Sequence, residues 1–150
     1  MNYIYWILIL SITYSTCLLS TNIPTQNYLI GCYKKTTCFT LEHANTYEKK
    51  QKGLMYKKTL PDKQGMIFSW KQENYISMWM KNTYISLDMI WLNSKSKIVC
   101  LKKNTIPLNV TPIKCHKKAR YVIELSAGSI KKYNLKKNKK IILSTISEQQ

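Results

Sequence analysis

The chain has 150 residues and a formal net charge of +17, with 24 basic residues against seven acidic ones. Its length fits one domain, and a composition of 45% hydrophobic and 21% charged residues, with four glycines and four prolines, excludes a wholly disordered or collagen-like chain. Only Arg120 carries the planar guanidinium group that suits phosphates best, so we interpret the lysine charge mainly as a solvated surface and do not expect a nucleic-acid partner.

The first twenty residues contain no charged side chain and begin with an apolar stretch over residues 3–10. This pattern is typical of a signal peptide, although no basic residue precedes the apolar stretch. The stretch is shorter than the roughly 20 apolar residues of a membrane span. We therefore predict a signal peptide or N-terminal membrane anchor over residues 1–20, and an exported protein in the periplasm or outside the cell. Lipidation at Cys17 and a buried N-terminal strand or helix are alternatives.

Four cysteines follow the leader and would face an oxidising compartment if the protein is exported. Cys32 and Cys38 flank a segment typical of a hairpin turn, and Cys100 and Cys115 enclose a loop with two prolines. Four cysteines allow three pairings, and Cys32–Cys38 with Cys100–Cys115 is the pairing we consider. Four free, buried thiols are the alternative.

Eight segments are rich in β-branched and aromatic residues and are separated by polar or Gly/Pro/Asn turns, which predicts strands. They are residues 28–33, 38–43, 65–70, 75–80, 87–93, 97–101, 120–125 and 140–146. Strands at this spacing favour an all-β sandwich over an alternating α/β fold.

Two short helices are also predicted. Asn45 and Glu48 have the spacing of a capping box, and Gly53 is suited to end that helix after Lys52. Ser126 is a candidate N-cap for a second helix near residues 127–133. Together these elements predict a single, mainly β domain over residues 28–147.

Four short motifs stand out along the chain: Gly53-Leu54-Met55, Gly65-Met66-Ile67-Phe68, Trp79-Met80-Lys81-Asn82-Thr83 followed by Leu87-Asp88-Met89, and Tyr121-Val122-Ile123-Glu124-Leu125. Their order and spacing resemble the domain of unknown function 192 family over about residues 38–143. The resemblance implies a jelly-roll-like β-sandwich with one or two short helices. Members of that family often look exported or membrane-tethered, which agrees with the leader, but the resemblance implies no reaction.

Two acidic residues lie in strands that are otherwise apolar. Asp88 interrupts the apolar run over residues 87–92, and a buried carboxylate needs a partner, for which Lys81 and Asn82 are candidates. Glu124 lies in a similar strand and faces away from Tyr121. Both carboxyl groups are therefore candidates for a functional site.

The motif over residues 79–89 and the predicted strand over residues 120–125 together supply a polar cluster with aromatic neighbours. Such a mixture suits a small polar ligand, whereas a buried salt-bridge and amide network that pins loops onto the sheet is the alternative. The candidate residues are Trp79, Lys81, Asn82, Thr83, Asp88, Tyr121 and Glu124.

We expect a binding or accessory module of the cell envelope that recognises a small polar ligand, a glycan or a protein partner. One alternative is an extracytoplasmic enzyme that uses Asp88 and Glu124 with Lys81, since a nearby lysine can separate the pKa values of two carboxyl groups. Another is a polyanion binder that engages lipid headgroups, acidic glycans or nucleic acid through its lysines, with an anionic membrane surface among the partners considered. The sequence has no phosphate-binding loop, nucleophile motif or metal-ligand spacing, so we predict no cofactor and no metal, and assign no catalytic residue.

Overall fold

A computed structural model of the protein describes residues 28–145. The predicted leader, Cys17 and the end of the last predicted strand therefore lie outside the described residues. Within this range no helix is long and apolar enough to cross a membrane.

Between residues 28 and 145 the chain forms nine strands and two short helices. In chain order they are β1 Tyr28–Tyr33, β2 Thr37–Ala44, α1 Tyr47–Lys52, β3 Gln64–Asn74, β4 Ser77–Met78, β5 Leu87–Leu92, β6 Ile98–Lys102, β7 Ile113–Lys114, β8 Ala119–Ser126, α2 Ser129–Lys132 and β9 Ile141–Thr145.

Seven of the strands form one curled sheet in the order β6-β5-β8-β3-β2-β1-β9, and β4 pairs with β7 in a separate ribbon. Neighbours in the large sheet are antiparallel except for β2 and β3. The edge strands β6 and β9 approach each other, because Ile98 exchanges backbone hydrogen bonds of 2.8 Å with Asn138 and Lys139. The prediction of a mainly β, sandwich-like fold with two short helices is confirmed.

The middle of the sheet is buried on both faces, and the alternation of side chains along its strands separates two hydrophobic clusters. On β5, Ile90 and Leu92 join the inner cluster, which draws residues from both edges of the curled sheet. Met89 and Trp91 join the outer cluster, which includes residues of the β4–β7 ribbon. All six residues of β5 are buried, which explains its nearly continuous apolar sequence.

The two helices begin later than the sequence predicts. Thr46, rather than Asn45, caps α1, and its hydroxyl accepts a hydrogen bond from the Lys49 amide at 3.3 Å. Ser126 does not cap α2, because it continues β8 and its hydroxyl donates to the Leu60 carbonyl at 2.9 Å. The helix begins at Ser129 instead.

The strand predictions differ from the structure mainly around the small ribbon. The predicted strand over residues 75–80 shrinks to the two residues of β4, and the equally short β7 was not predicted. A two-residue strand is too short to show a hydrophobic period of its own. Disulfide bonds join Cys32 to Cys38 across β1 and β2, and Cys100 on β6 to Cys115 just after β7.

Candidate functional site

A cleft of about 460 Å³ lies on the outer side of the sheet, between α1, β3 and the β4–β7 ribbon. Its wall is mainly aromatic, with polar groups contributed largely by the helix. The residues that define it are Tyr47, Lys50, Phe68, Trp70, Trp79 and Pro112. Volume and composition are both typical of a small-molecule site.

The floor of the cleft comes from β3. Phe68 and Trp70 are two residues apart in this strand and share a face, with their rings stacked at a centroid distance of 6.5 Å. Lys50 on α1 extends its ammonium group to 5.2 Å from the Trp70 ring centre and donates a 3.1 Å hydrogen bond to the Ser69 carbonyl. These contacts hold one cation at a fixed place beside the aromatic floor.

Trp79 also lines the cleft and is 39% exposed. Its neighbours hold the backbone on both sides, because Met78 pairs with Ile113 in the ribbon and the Met80 amide donates to the Asn109 carbonyl at 2.9 Å. The Lys81 ammonium group lies 5.4 Å from the centre of the indole ring. Each of the two tryptophans that line the cleft therefore has a lysine ammonium group beside its ring.

Glu124 lines a narrow recess of about 20 Å³ together with Lys50, Trp79 and other residues that also line the cleft. Its neighbours across the sheet are Met66 and Met89, and it is 3% exposed. Burial in these apolar surroundings raises the pKa of Glu124 to about 8. At neutral pH this group is mostly a neutral carboxylic acid, which can both donate and accept a hydrogen bond. The recess has room for about one water molecule or a group of similar size.

Asp88 lies on the inner face of the sheet and is fully buried. One carboxylate oxygen accepts a 2.8 Å hydrogen bond from the Asn104 amide, and the other accepts a 2.7 Å bond from the Ile130 amide. Asp88 thereby ties the start of the loop after β6 and the helix α2 to β5. Its partners are thus two backbone amides, not Lys81 and Asn82 as the sequence suggested.

Two more of the predicted site residues do not line the recess. Asn82 has a left-handed backbone (φ 52°), and its side-chain amide donates to the Tyr56 hydroxyl at 2.9 Å, so it shapes a turn. Tyr121 packs against the inner cluster, with the Arg120 guanidinium 5.5 Å from its ring centre. The structure therefore brings Trp79, Lys81, Thr83 and Glu124 together around the recess, whereas Asn82, Asp88 and Tyr121 do not line it.

Some motif residues serve the backbone rather than the cleft. Gly53 adopts φ 48° where α1 ends, and a side chain there would press on the Phe68 ring. A Cβ atom at Gly65 would collide with the Glu124 carbonyl on the neighbouring strand. These glycines allow the close packing that places Phe68 and Glu124 below the cleft.

Sequence reasoning missed the residues of α1 and β3 in the cleft, such as Lys50 and Trp70. Each belongs to a predicted element, but a six-residue helix gives no signal of the strand on which it packs. Within residues 28–145 no group of three His, Cys, Asp or Glu side chains could hold a metal ion.

Comparison with known proteins agrees with this architecture. A crystal structure from Sinorhizobium meliloti 1021, described as a "putative transcription regulator", is 28% identical, with a TM-score of 0.72 over 79% of this chain and 92% of that one. A protein of unknown function from Novosphingobium aromaticivorans DSM 12444 is 27% identical, with a TM-score of 0.70 over 77% of this chain and 83% of that one. No curated protein sequence matches the chain significantly.

A sequence profile described as "Uncharacterized ACR", that of the domain of unknown function 192, matches residues 31–143. The match covers most of the chain, and the four motifs identified above lie within the matched range. The protein therefore belongs to the domain of unknown function 192 family.

Proposed function

We propose that the protein is an exported binding module of the cell envelope, whose aromatic cleft takes a small polar ligand with an apolar face, such as a sugar unit of a glycan. The observation that carries this proposal is that Trp79 lines both the cleft, with Trp70, and the recess, with Glu124. The two indole rings offer apolar platforms, and the recess offers a carboxyl group that is fixed in place.

A sugar ring fits this arrangement for physical reasons. It has an apolar face that can pack on an aromatic ring, and hydroxyl groups around its rim that both donate and accept hydrogen bonds. Lys50 and Lys81 lie beside the two indole rings, where they can donate to the hydroxyl oxygens. The protonated carboxyl group of Glu124 can exchange two hydrogen bonds with one hydroxyl that enters the recess and displaces a water molecule.

Export is supported by two independent features. The uncharged, apolar first segment has the composition of a leader, and disulfide bonds such as Cys32–Cys38 and Cys100–Cys115 persist mainly in oxidising compartments. A binding module in the envelope would meet glycans there.

The alternative of an enzyme that uses Asp88 and Glu124 together has less support. The two carboxyl groups project from opposite faces of the sheet, and both oxygens of Asp88 already accept backbone hydrogen bonds. They therefore cannot act on one bound substrate as an acid and a base.

The proposal can be tested by binding of the full chain to an array of envelope oligosaccharides, with Trp79→Ala as the test variant. Tyr75→Ala is a matched control, because Tyr75 is an exposed aromatic residue with a lysine, Lys118, 6.0 Å from its ring centre, and it does not line the cleft. We expect Trp79→Ala to weaken binding of any captured glycan by at least about tenfold.

The control should bind as the unmodified chain does. A protein that captures no oligosaccharide, or that loses the same affinity in both variants, would contradict a glycan-binding role for the cleft. Glu124→Met gives a second reading, since it removes both the hydrogen-bond donor and the acceptor from the recess at a similar side-chain length, and should weaken binding without altering the rings.

A further inference from the structure

The loop between β6 and β7 exposes three aliphatic side chains to solvent. Ile106 is 68% exposed, Leu108 56% and Val110 63%, at alternate positions of one short segment. Single exposed aliphatic residues are ordinary, but three within five residues of one loop give it an apolar surface that nothing in the described chain covers.

The loop that carries these side chains is anchored firmly to the sheet. Thr105 is buried, and its backbone and hydroxyl form three hydrogen bonds of 2.8–3.0 Å with the backbone of Leu87. Further along, the Leu108 amide donates to the Thr83 carbonyl at 3.0 Å. The disulfide bond between Cys100 and Cys115 closes the base of the loop. The exposed side chains are thus presented by an ordered segment.

Leu108 is an unusual residue for its backbone conformation. Its φ of 62° is left-handed, and the Asn109 amide closes the turn by donating to the Ile106 carbonyl at 3.4 Å. The third position of such a turn favours glycine or asparagine, because a side chain there crowds the backbone. The leucine therefore costs conformational energy, and its exposed side chain recovers little of that cost by packing within this domain.

The chain on either side of the loop is strongly cationic. Residues 89–123 contain eight basic residues and no acidic one. Lys102 and Lys114 border a hollow of about 380 Å³ that Ile106 also lines. Apolar side chains at a tip with lysines around them match the interface of an anionic lipid bilayer, where acyl chains lie just below negatively charged phosphates.

We propose that the loop over residues 105–112 is a membrane-docking tip. Ile106, Leu108 and Val110 enter the boundary between headgroups and acyl chains, while Lys102 and Lys114 meet lipid phosphates. Docking does not require a ligand in the aromatic cleft, so the two proposals can fail separately. The docked loop would hold the cleft next to the bilayer, because Pro112 at the end of the loop also lines the cleft.

The test must separate the loop from the apolar leader, which could itself hold the protein on a membrane. NMR of the full chain with labelled methyl groups serves this purpose, with bicelles of phosphatidylglycerol and phosphatidylcholine that contain a spin-labelled lipid. The internal control is Ile142 on β9, an isoleucine that is 64% exposed and therefore comparable with Ile106.

We expect the methyl signals of Ile106, Leu108 and Val110 to broaden on anionic bicelles much more than those of Ile142. Bicelles of phosphatidylcholine alone should broaden the loop signals less. Equal broadening at the loop and at Ile142 would overturn the proposal, and equal broadening on the two lipids would overturn the role of the lysines.

A second measurement uses vesicles of the same lipids and the triple variant Ile106→Ser, Leu108→Ser, Val110→Ser. The variant should partition onto anionic vesicles about tenfold less than Ile142→Ser, since it removes the apolar contacts and leaves every charge. Equal partition of the two variants, together with sharp loop signals on bicelles, would show that a bilayer is not the partner of this loop.

Discussion

Asp88 and Glu124 lie on the paired strands β5 and β8, yet their carboxyl groups point to opposite faces of the sheet. The register explains this, because Asp88 is opposite Leu125 and Glu124 is opposite Met89. These two pairs are neighbours along the strands, and the side chains of consecutive positions in a strand project to opposite faces of the sheet. Asp88 consequently meets two backbone amides on the inner side, whereas Glu124 meets apolar side chains and the recess on the outer side.

The first prediction concerns Asp88. The side chain of Asp88→Asn has one oxygen and one NH₂ group in place of two oxygens. One of the two backbone amides would therefore face an NH₂ group, and two donors would replace one amide–carboxylate hydrogen bond. The free energy of unfolding should fall by about 2–3 kcal/mol, which thermal denaturation would register as a drop of several degrees.

The control for this substitution is Asp62→Asn. Asp62 pairs with Lys132 at the surface and is 53% exposed, so its loss should change the unfolding temperature little. Equal effects of the two substitutions would contradict a structural role for Asp88.

The second prediction concerns the pH dependence of Glu124. Its pKa is about 8 in the fold against 4.5 as the ordinary value, so the folded protein retains a proton that the unfolded chain releases. Below pH 4.5 both states are protonated and burial of the carboxyl group costs little. As pH rises from 4.5 to about 8, stability is lost progressively, by an amount on the order of a few kcal/mol.

Glu124→Gln removes this titration. The free energy of unfolding of the variant, relative to that of the unmodified protein, should therefore increase as pH rises from 4.5 to about 8. Urea denaturation of both proteins at intervals from pH 4.5 to about 8 measures the difference. If the two stability curves run parallel across the window, the carboxyl group is not held in its neutral form.

The different surroundings of Asp88 and Glu124 show how far the site could be predicted from the sequence. The apolar run over residues 87–92 correctly indicated a strand covered on both sides, and the need of Asp88 for a partner follows from burial alone. The partners themselves are backbone amides of Asn104 and Ile130, 16 and 42 residues away along the chain. Alternation within a strand does not set its register against another strand, so the sequence could not reveal that Asp88 and Glu124 face apart.

The third prediction compares the two disulfide bonds. Cys100 and Cys115 are 15 residues apart, and Cys32 and Cys38 are six apart. The entropy of loop closure in the unfolded chain grows with separation, so replacing Cys100 and Cys115 with serine should cost about 3 kcal/mol, and replacing Cys32 and Cys38 about 2 kcal/mol. Denaturant unfolding of the two double variants provides the comparison.

The longer bridge should have a further consequence, because it also closes the base of the loop that carries Ile106 and Leu108. Its loss should increase amide hydrogen exchange over residues 105–112, whereas loss of Cys32–Cys38 should not. Unchanged exchange in the loop would mean that its hydrogen bonds to Leu87 and Thr83 hold it without the bridge.

The fourth prediction concerns Leu108, where stability and membrane docking should conflict. Asparagine tolerates a left-handed backbone far better than leucine does, and the leucine side chain at φ 62° is mostly exposed. Leu108→Asn should therefore raise the free energy of unfolding by about 1 kcal/mol while it lowers partition onto anionic vesicles. Ile106→Asn is the matched control, because Ile106 is equally apolar and exposed but lacks the left-handed backbone, so it should weaken partition without the gain in stability. Urea denaturation of both variants measures the change in the free energy of unfolding. A loss of stability in Leu108→Asn would mean that the leucine packs within the fold, and its conformational cost would then no longer point to an external lipid partner.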